Sequence, residues 1–208
     1  MHVNPAEILY WSTMLASILS AAAGVLDARG KQFDLFGVMI IAFCAALGGG
    51  TLRDVILDRP VFWVKDSSYL VFTWLGAILT FYLARWIKLS SRWFVVPDAI
   101  ALGLYTVAGT HAALVLGNDW LVASFMGVIT GVAGGILRDI LLNQEPLVFQ
   151  GPLYATASWA GSVLFIILFH QKTDPVAATV AAGILIAMVR LLAVRWNLVL
   201  PRYREKQH

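Results

Sequence analysis

The sequence is short of charge. Only 13% of its 208 residues are Asp, Glu, Lys or Arg, against roughly 25% in a typical soluble domain, which must clothe its surface in polar groups. Cysteine is almost absent. Cys44 stands alone within an apolar run, which excludes a disulfide framework and leaves no thiol cluster to ligate a metal. The four histidines are scattered, two of them near the chain ends, and none has the histidine–carboxylate spacing of a metal site. A phosphate-binding loop and a nucleophile motif are missing too, so neither an enzyme nor a cofactor is expected. Basic residues sit between apolar runs instead of lining one helix face, and the net charge is only +3. That gives no nucleic-acid footprint. No basic leader precedes the first apolar run, which is therefore read as a span and not as a signal peptide.

Apolar residues fill the space: 60% of the chain is hydrophobic and the mean hydropathy is +0.78. A bilayer asks for roughly 20 apolar residues per helical span. Seven runs qualify, at Glu7 to Leu26, Leu35 to Leu57, Tyr69 to Ile87, Asp98 to Leu116, Trp120 to Leu142, Leu153 to Phe169 and Pro175 to Trp196. All are too long for a membrane strand and lack strict alternation, so helices are predicted. The linkers between them are short, which points to one compact transmembrane domain. Lipid is the implied solvent and partner, and the cell inner membrane the expected location.

Orientation follows from the lysine and arginine bias of the loops. Arg29, Lys31, Arg85, Lys88, Arg92, Arg195, Arg202, Arg204 and Lys206 fall on one side; Arg59, Lys65 and Lys172 fall on the other. The N-terminus is expected outside and the C-terminus in the cytoplasm.

An internal repeat organises the chain. Gly49-Gly50-Thr51-Leu52-Arg53-Asp54 returns 85 positions later as Gly134-Gly135-Ile136-Leu137-Arg138-Asp139. The same register carries Ala23-Gly24 onto Ala108-Gly109, and Tyr69, Trp74 and Gly76 onto Tyr154, Trp159 and Gly161. Pro60 and Phe62 follow the first arginine–aspartate pair, Pro146 and Phe149 the second, which suggests a small insertion in the second copy. Repeat one covers about 7–87, repeat two about 98–169, and an extra helix about 175–196. Three spans is an odd number, so the second copy enters the membrane from the opposite side. The fold class expected is an all-α membrane protein with an inverted three-plus-three repeat and a seventh helix, an arrangement that places a pathway near the midplane.

Gly48-Gly49-Gly50 lies mid-way along the second span and Gly134-Gly135 mid-way along the fifth. Each interior glycine costs about 1 kcal/mol of helix propensity relative to alanine, so such a cluster invites a break. A broken helix bares carbonyls that can hold a transient monovalent cation around Gly49 and Gly134, and amides that face an anion. Close helix packing is the alternative use of small residues. Arg53-Asp54 and Arg138-Asp139 follow about one turn later, and intramembrane charges normally face a partner or a wet interior. Arg53 and Arg138 share a face with Gly50 and Gly135 and should line or gate the cavity, Arg53 outside the midplane and Arg138 inside it. Asp54 and Asp139 should point about 100° away, toward a neighbouring helix or the other repeat's arginine. Ion pairs locking the repeats together are the structural alternative. Thr51, Asp54 and Asp139 are counted with the glycines and arginines as pathway residues; Asp27, Thr110 and His111 are weaker candidates. Glu7 and Asp98 sit at helix starts, where a carboxylate complements the dipole, and Arg190 is expected to snorkel to the cytoplasmic face.

At these residues the chain resembles the trimeric intracellular cation (TRIC) channel superfamily, in particular its bacterial members. The likeness covers nearly the whole chain: seven spans, glycine-rich breaks in spans two and five, and paired glycine–arginine–aspartate motifs. It implies a homotrimer with a pore in each protomer, kinked at Gly48, Gly49, Gly50, Gly134 and Gly135, with Arg53 and Arg138 lining or obstructing it. Potassium, and less selectively sodium, would be the permeant ions. The animal channels carry a lysine-bearing lipid motif in span four, whereas Thr110-His111-Ala112 here has no lysine, so a phosphoinositide role is not implied. Some bacterial relatives are associated with glycine uptake, and a small amino acid carrier is the alternative function. Arginine in a cation path raises the barrier unless a carboxylate neutralises it. In a carrier, the same arginine and a half-helix N-terminus would hold a substrate carboxylate.

Overall fold

The computed structural model describes residues 5–86, 91–150 and 153–201. Among these there is no strand. The long helices are α1 (Pro5–Asp27), α2 (Leu35–Ile56), α4 (Ser68–Trp86), α5 (Val95–Val115), α6 (Trp120–Leu141), α8 (Ala155–His170) and α9 (Pro175–Trp196). Two single-turn helices, α3 (Phe62–Lys65) and α7 (Leu147–Gln150), and a 3-10 turn at Ser91–Phe94 complete the order. Neither short helix was anticipated. Six of the long helices are long and apolar enough to cross a bilayer. The seventh apolar run is shorter: α8 has 16 residues, about 24 Å at 1.5 Å per residue, less than the ~30 Å hydrocarbon core.

Local chemistry sets the ends. Asp34 caps α2 by accepting the Gly37 amide at 2.7 Å, Asp119 caps α6 through the Leu121 amide at 3.0 Å, and Asp174 caps α9 through the Ala177 amide at 3.0 Å. Each carboxylate satisfies one of the amides that a helix start leaves open. Past the ends of α2 and α6, Asp58 and Asn143, 85 positions apart, both take a left-handed φ of 50°.

Helices α1, α2 and α4 pack together, as do α5, α6 and α8; α5 lies at the centre, against α1, α6, α8 and α9. The outer faces carry exposed large hydrophobics such as Phe36, Val55, Leu79 and Val180. In water they would be a liability; in lipid they are the solvent-facing surface. A seam of small polar residues joins α5 to α8, with Thr106 bonded to Ser158 at 2.7 Å and Thr110 to Ser162 at 2.5 Å. Such hydroxyl pairs hold membrane helices close without leaving a polar group unsatisfied. Thr110 is part of this seam and is fully buried.

The glycine breaks are not present. Helix α2 runs unbroken through Gly48, Gly49 and Gly50, and α6 through Gly134 and Gly135. The reason is a close crossing of the two. A methyl on Gly49 would strike the Thr130 carbonyl, and a methyl on Gly134 would strike the Ala45 carbonyl. These contacts are reciprocal, since 45 and 130 are themselves 85 positions apart. Backbone meets backbone here, which only glycine allows.

Candidate functional site

The two arginine–aspartate motifs fold identically. Arg53 Nε donates to Asp54 Oδ1 at 2.8 Å, and Arg138 Nε to Asp139 Oδ1 at 2.9 Å. The other oxygen of each aspartate accepts a backbone amide eight residues on, Phe62 at 2.9 Å and Leu147 at 2.8 Å. Those amides begin α3 and α7, so each carboxylate joins its arginine to the N-terminus of the following short helix. The expectation of cross-repeat pairing for Asp54 and Asp139 is thereby corrected: each holds its own neighbour, because the following turn returns over it. The register of 85 also holds through α3 and α7, so Leu147, not Phe149, matches Phe62, and the supposed insertion disappears.

Around this shared frame the halves differ. Arg53 lies against a cavity of about 320 Å³ whose walls include Leu9, Thr13, Gly50, Arg59, Phe62, Tyr69, Tyr105, His111 and Ala112. The Arg53 guanidinium lies 5.6 Å over the Phe62 ring. Tyr69 and Thr13 share a hydroxyl hydrogen bond at 3.0 Å, and Tyr10 donates to Asp66 at 3.0 Å. Asp66, in the loop before α4, has its pKa held below the ordinary carboxylate value chiefly by the Ser68 backbone amide, with the Ser68 and Tyr10 hydroxyls adding to it. His111 packs edge-on to Phe165 and Phe169, 6.2 and 6.0 Å between ring centres. Thr51 lies to one side, accepting the Trp63 indole N–H at 2.9 Å.

In the other half the equivalent space is filled by charge. Arg138 meets Asp98 at 2.5 Å, Asp139 at 2.8 Å and Asp27 at 3.3 Å. The Phe94 ring lies 5.2 Å from its guanidinium. Tyr154 donates to Asp98 at 3.4 Å, and Arg190 of α9 sits 4.6 Å over the Tyr154 ring. Arg138, Asp139 and Arg190 are each only 1% exposed, so this half is sealed. The register of 85 makes the contrast direct. Thr13 stands where Asp98 stands, Ala112 where Asp27 stands, and Leu9 where Phe94 stands; all three border the Arg53 cavity.

Among the residues singled out from sequence, Arg53, Gly50 and His111 therefore come together at the open cavity. Arg138, Asp139 and Asp27 come together at the sealed one. Gly48 faces the Leu137 side chain, and Gly135 faces the Tyr154 hydroxyl. One turn before Gly49, the Ala45 carbonyl accepts the Ser20 hydroxyl at 2.9 Å and the Ala46 carbonyl the Tyr105 hydroxyl at 2.6 Å. Burial adds to one expectation and corrects another. Asp98 does lie in the first turn of α5 but is also a buried partner of Arg138, and Arg190 points into the bundle, not to the membrane face. Tyr105 was not singled out, and Tyr154 and Arg59 were noted only for the repeat and the loop charge, not as site residues. The signal for Asp98 was available: a charge inside an apolar run, in register with a threonine.

A lipid-facing helical bundle that encloses ionised side chains between two structurally matched halves belongs, by class, to the polytopic membrane proteins of the transport kind. Known proteins narrow this. The family model described as Glycine transporter matches the chain twice, over residues 10–85 and 95–170. The UPF0126 inner membrane protein YadS of Escherichia coli is 36% identical over 199 residues, covering 94% of this chain and 96% of that protein. A UPF0126 membrane protein of Vibrio cholerae is 37% identical over 200 residues, covering 95% of this chain and 83% of its own. A solved TRIC trimeric intracellular cation channel orthologue from Rhodobacter sphaeroides superposes with a TM-score of 0.86 at 30% identity, over 92% of this chain and 99% of that one. A second TRIC cation channel structure gives 0.84 at 28% identity, over 95% and 98%. The chain belongs to the Glycine transporter family and, with it, to the TRIC channel superfamily. The Escherichia coli relative is an inner membrane protein, and this chain has six helices long and apolar enough to cross a bilayer.

Proposed function

We propose that the protein is a passive channel for monovalent cations, potassium foremost and sodium less selectively, held here with one mouth open and one shut. The observation that carries this reading is the contrast between the halves. A cavity reaches Gly50 and Tyr105 from the Arg53 side, while the matching space on the Arg138 side is closed by ion pairs. Charge supports cations over anions at the closed mouth: Asp27, Asp98 and Asp139 outnumber Arg138 and Arg190, so opening it presents net negative charge to the path. Asp54 partly neutralises Arg53 at the open one. The path passes the α2–α6 crossing within a single protomer, so each copy of a homotrimer has its own pore. The repeats are inverted, seven helices cross the membrane, the N-terminus lies outside, and conduction requires the glycine crossing of Gly49 and Gly134 to loosen or unwind.

A second reading has its own support. Arg53 and Arg59 at the open cavity suit a carboxylate, as a carrier for a small amino acid such as glycine requires. The deciding experiment is current across planar bilayers containing purified protein under a potassium chloride gradient. Discrete openings reversing near the potassium equilibrium potential support the channel. Silence from folded protein, with saturable uptake of labelled glycine into liposomes, replaces it with the carrier.

A further inference from the structure

A second polar recess lies away from both arginine–aspartate sites, where α1 ends, α2 begins and α4 finishes. Its volume is about 270 Å³. Three cations border it: Arg29 and Lys31 from the α1–α2 loop, and Arg85 from the last turn of α4. Its described lining residues include no carboxylate. The floor is apolar, formed by Val25, Val38 and Phe81. Arg85 is laid over that floor, its guanidinium 4.5 Å from the Phe81 ring centre, which restrains it at the rim. Trp86, next in sequence, is 86% exposed; an exposed tryptophan at the end of a membrane helix belongs at the headgroup level. The recess thus combines three positive rim groups at the interface with an apolar floor.

We infer that this recess binds an anionic phospholipid of the surrounding leaflet, its phosphate among Arg29, Lys31 and Arg85 and one acyl chain along Val25, Val38 and Phe81. Basic pockets between membrane helices recognise lipid phosphates in this manner. The site is independent of whether the protein conducts or carries.

The test is native mass spectrometry of the full-length protein titrated with dioleoyl phosphatidylglycerol or dioleoyl phosphatidylcholine. The wild type should retain phosphatidylglycerol several-fold better than phosphatidylcholine. Each neutralised cation should weaken that retention by roughly five-fold, so Lys31→Gln with Arg85→Gln should abolish the preference, and Arg85→Lys should largely keep it. Lys172→Gln, outside the recess, should leave it unchanged. Thermal unfolding of each variant in detergent identifies any that fail to fold. Equal retention of phosphatidylglycerol by wild type and the folded double variant would overturn the assignment. So would displacement of the lipid by millimolar inorganic phosphate, which would make the site one for free phosphate.

Discussion

Asp98→Asn is the sharpest probe of the closed mouth. Asp98 makes the shortest of the three carboxylate contacts to Arg138, and the two side chains are 6% and 1% exposed. Breaking a buried pair outright costs about 3–5 kcal/mol, because one charge is stranded. Here Arg138 keeps Asp139 and Asp27, and asparagine still offers an oxygen, so the loss should resemble that of one charge-assisted hydrogen bond, about 2–3 kcal/mol. If that contact exists only while the mouth is shut, the open-to-closed ratio rises by roughly 30- to 150-fold, at 1.4 kcal/mol per decade. Single-channel recording in planar bilayers reads this as open probability, with size-exclusion profiles confirming intact protein. The reciprocal variant, Thr13→Asp, places a carboxylate in the matching position beside the Arg53 cavity and should lower open probability. The reasoning is refuted if Asp98→Asn leaves open probability within three-fold of wild type, or if both variants move it the same way.

Other outcomes follow from the same geometry. Gly49→Ala and Gly134→Ala each press a methyl onto a backbone carbonyl and should cost about 1–3 kcal/mol, seen as a lower detergent unfolding temperature. Gly48→Ala clashes with the movable Leu137 side chain and reaches the Gly134 backbone only at ordinary contact distance, so it should be milder. Arg53→Gln should raise unitary potassium conductance if the arginine obstructs a pore; abolished glycine binding with no current would favour the carrier. Asp54→Ala removes both the Arg53 pair and the Phe62 amide cap and should destabilise by about 3–5 kcal/mol, whereas Asp58→Ala, which only places alanine in a left-handed turn, should cost about 1 kcal/mol. Asp66 has a depressed pKa, so its contribution is full at neutral pH and is lost only as pH falls below the ordinary carboxylate range. Infrared titration of its carboxylate band, compared in Tyr10→Phe, checks this.

Much of the fold was legible because lipid writes a simple code. The long helices begin and end within three residues of the apolar runs, since a helix is what lets a span satisfy its own backbone. The repeat was legible because glycine, arginine and aspartate are conspicuous in an apolar background. Reading the glycines as breaks went astray for a physical reason. Low propensity says that glycine can unwind a helix, but packing against a partner backbone repays that cost, and the partner is invisible in the local sequence. The pairing of Arg138 with Asp27 and Asp98 was equally hidden, because its members come from α1, α5 and α6 and nothing local links residues 27, 98 and 138. Single-turn helices α3 and α7 escaped because four residues carry no periodicity; only the aspartate eight residues upstream announces them.

The reciprocal crossing of α2 and α6 has a consequence for how the two copies can vary. At Gly49 and Gly134 the space is set by the partner's main chain, which no side-chain change can relieve, so both copies are bound to keep the same residue. Thr13 against Asp98, and Ala112 against Asp27, show that the positions around each arginine carry no such obligation. A duplicated chain of this kind has a fixed centre and two separately adjustable ends, so one half can be tuned to stay shut without altering the other.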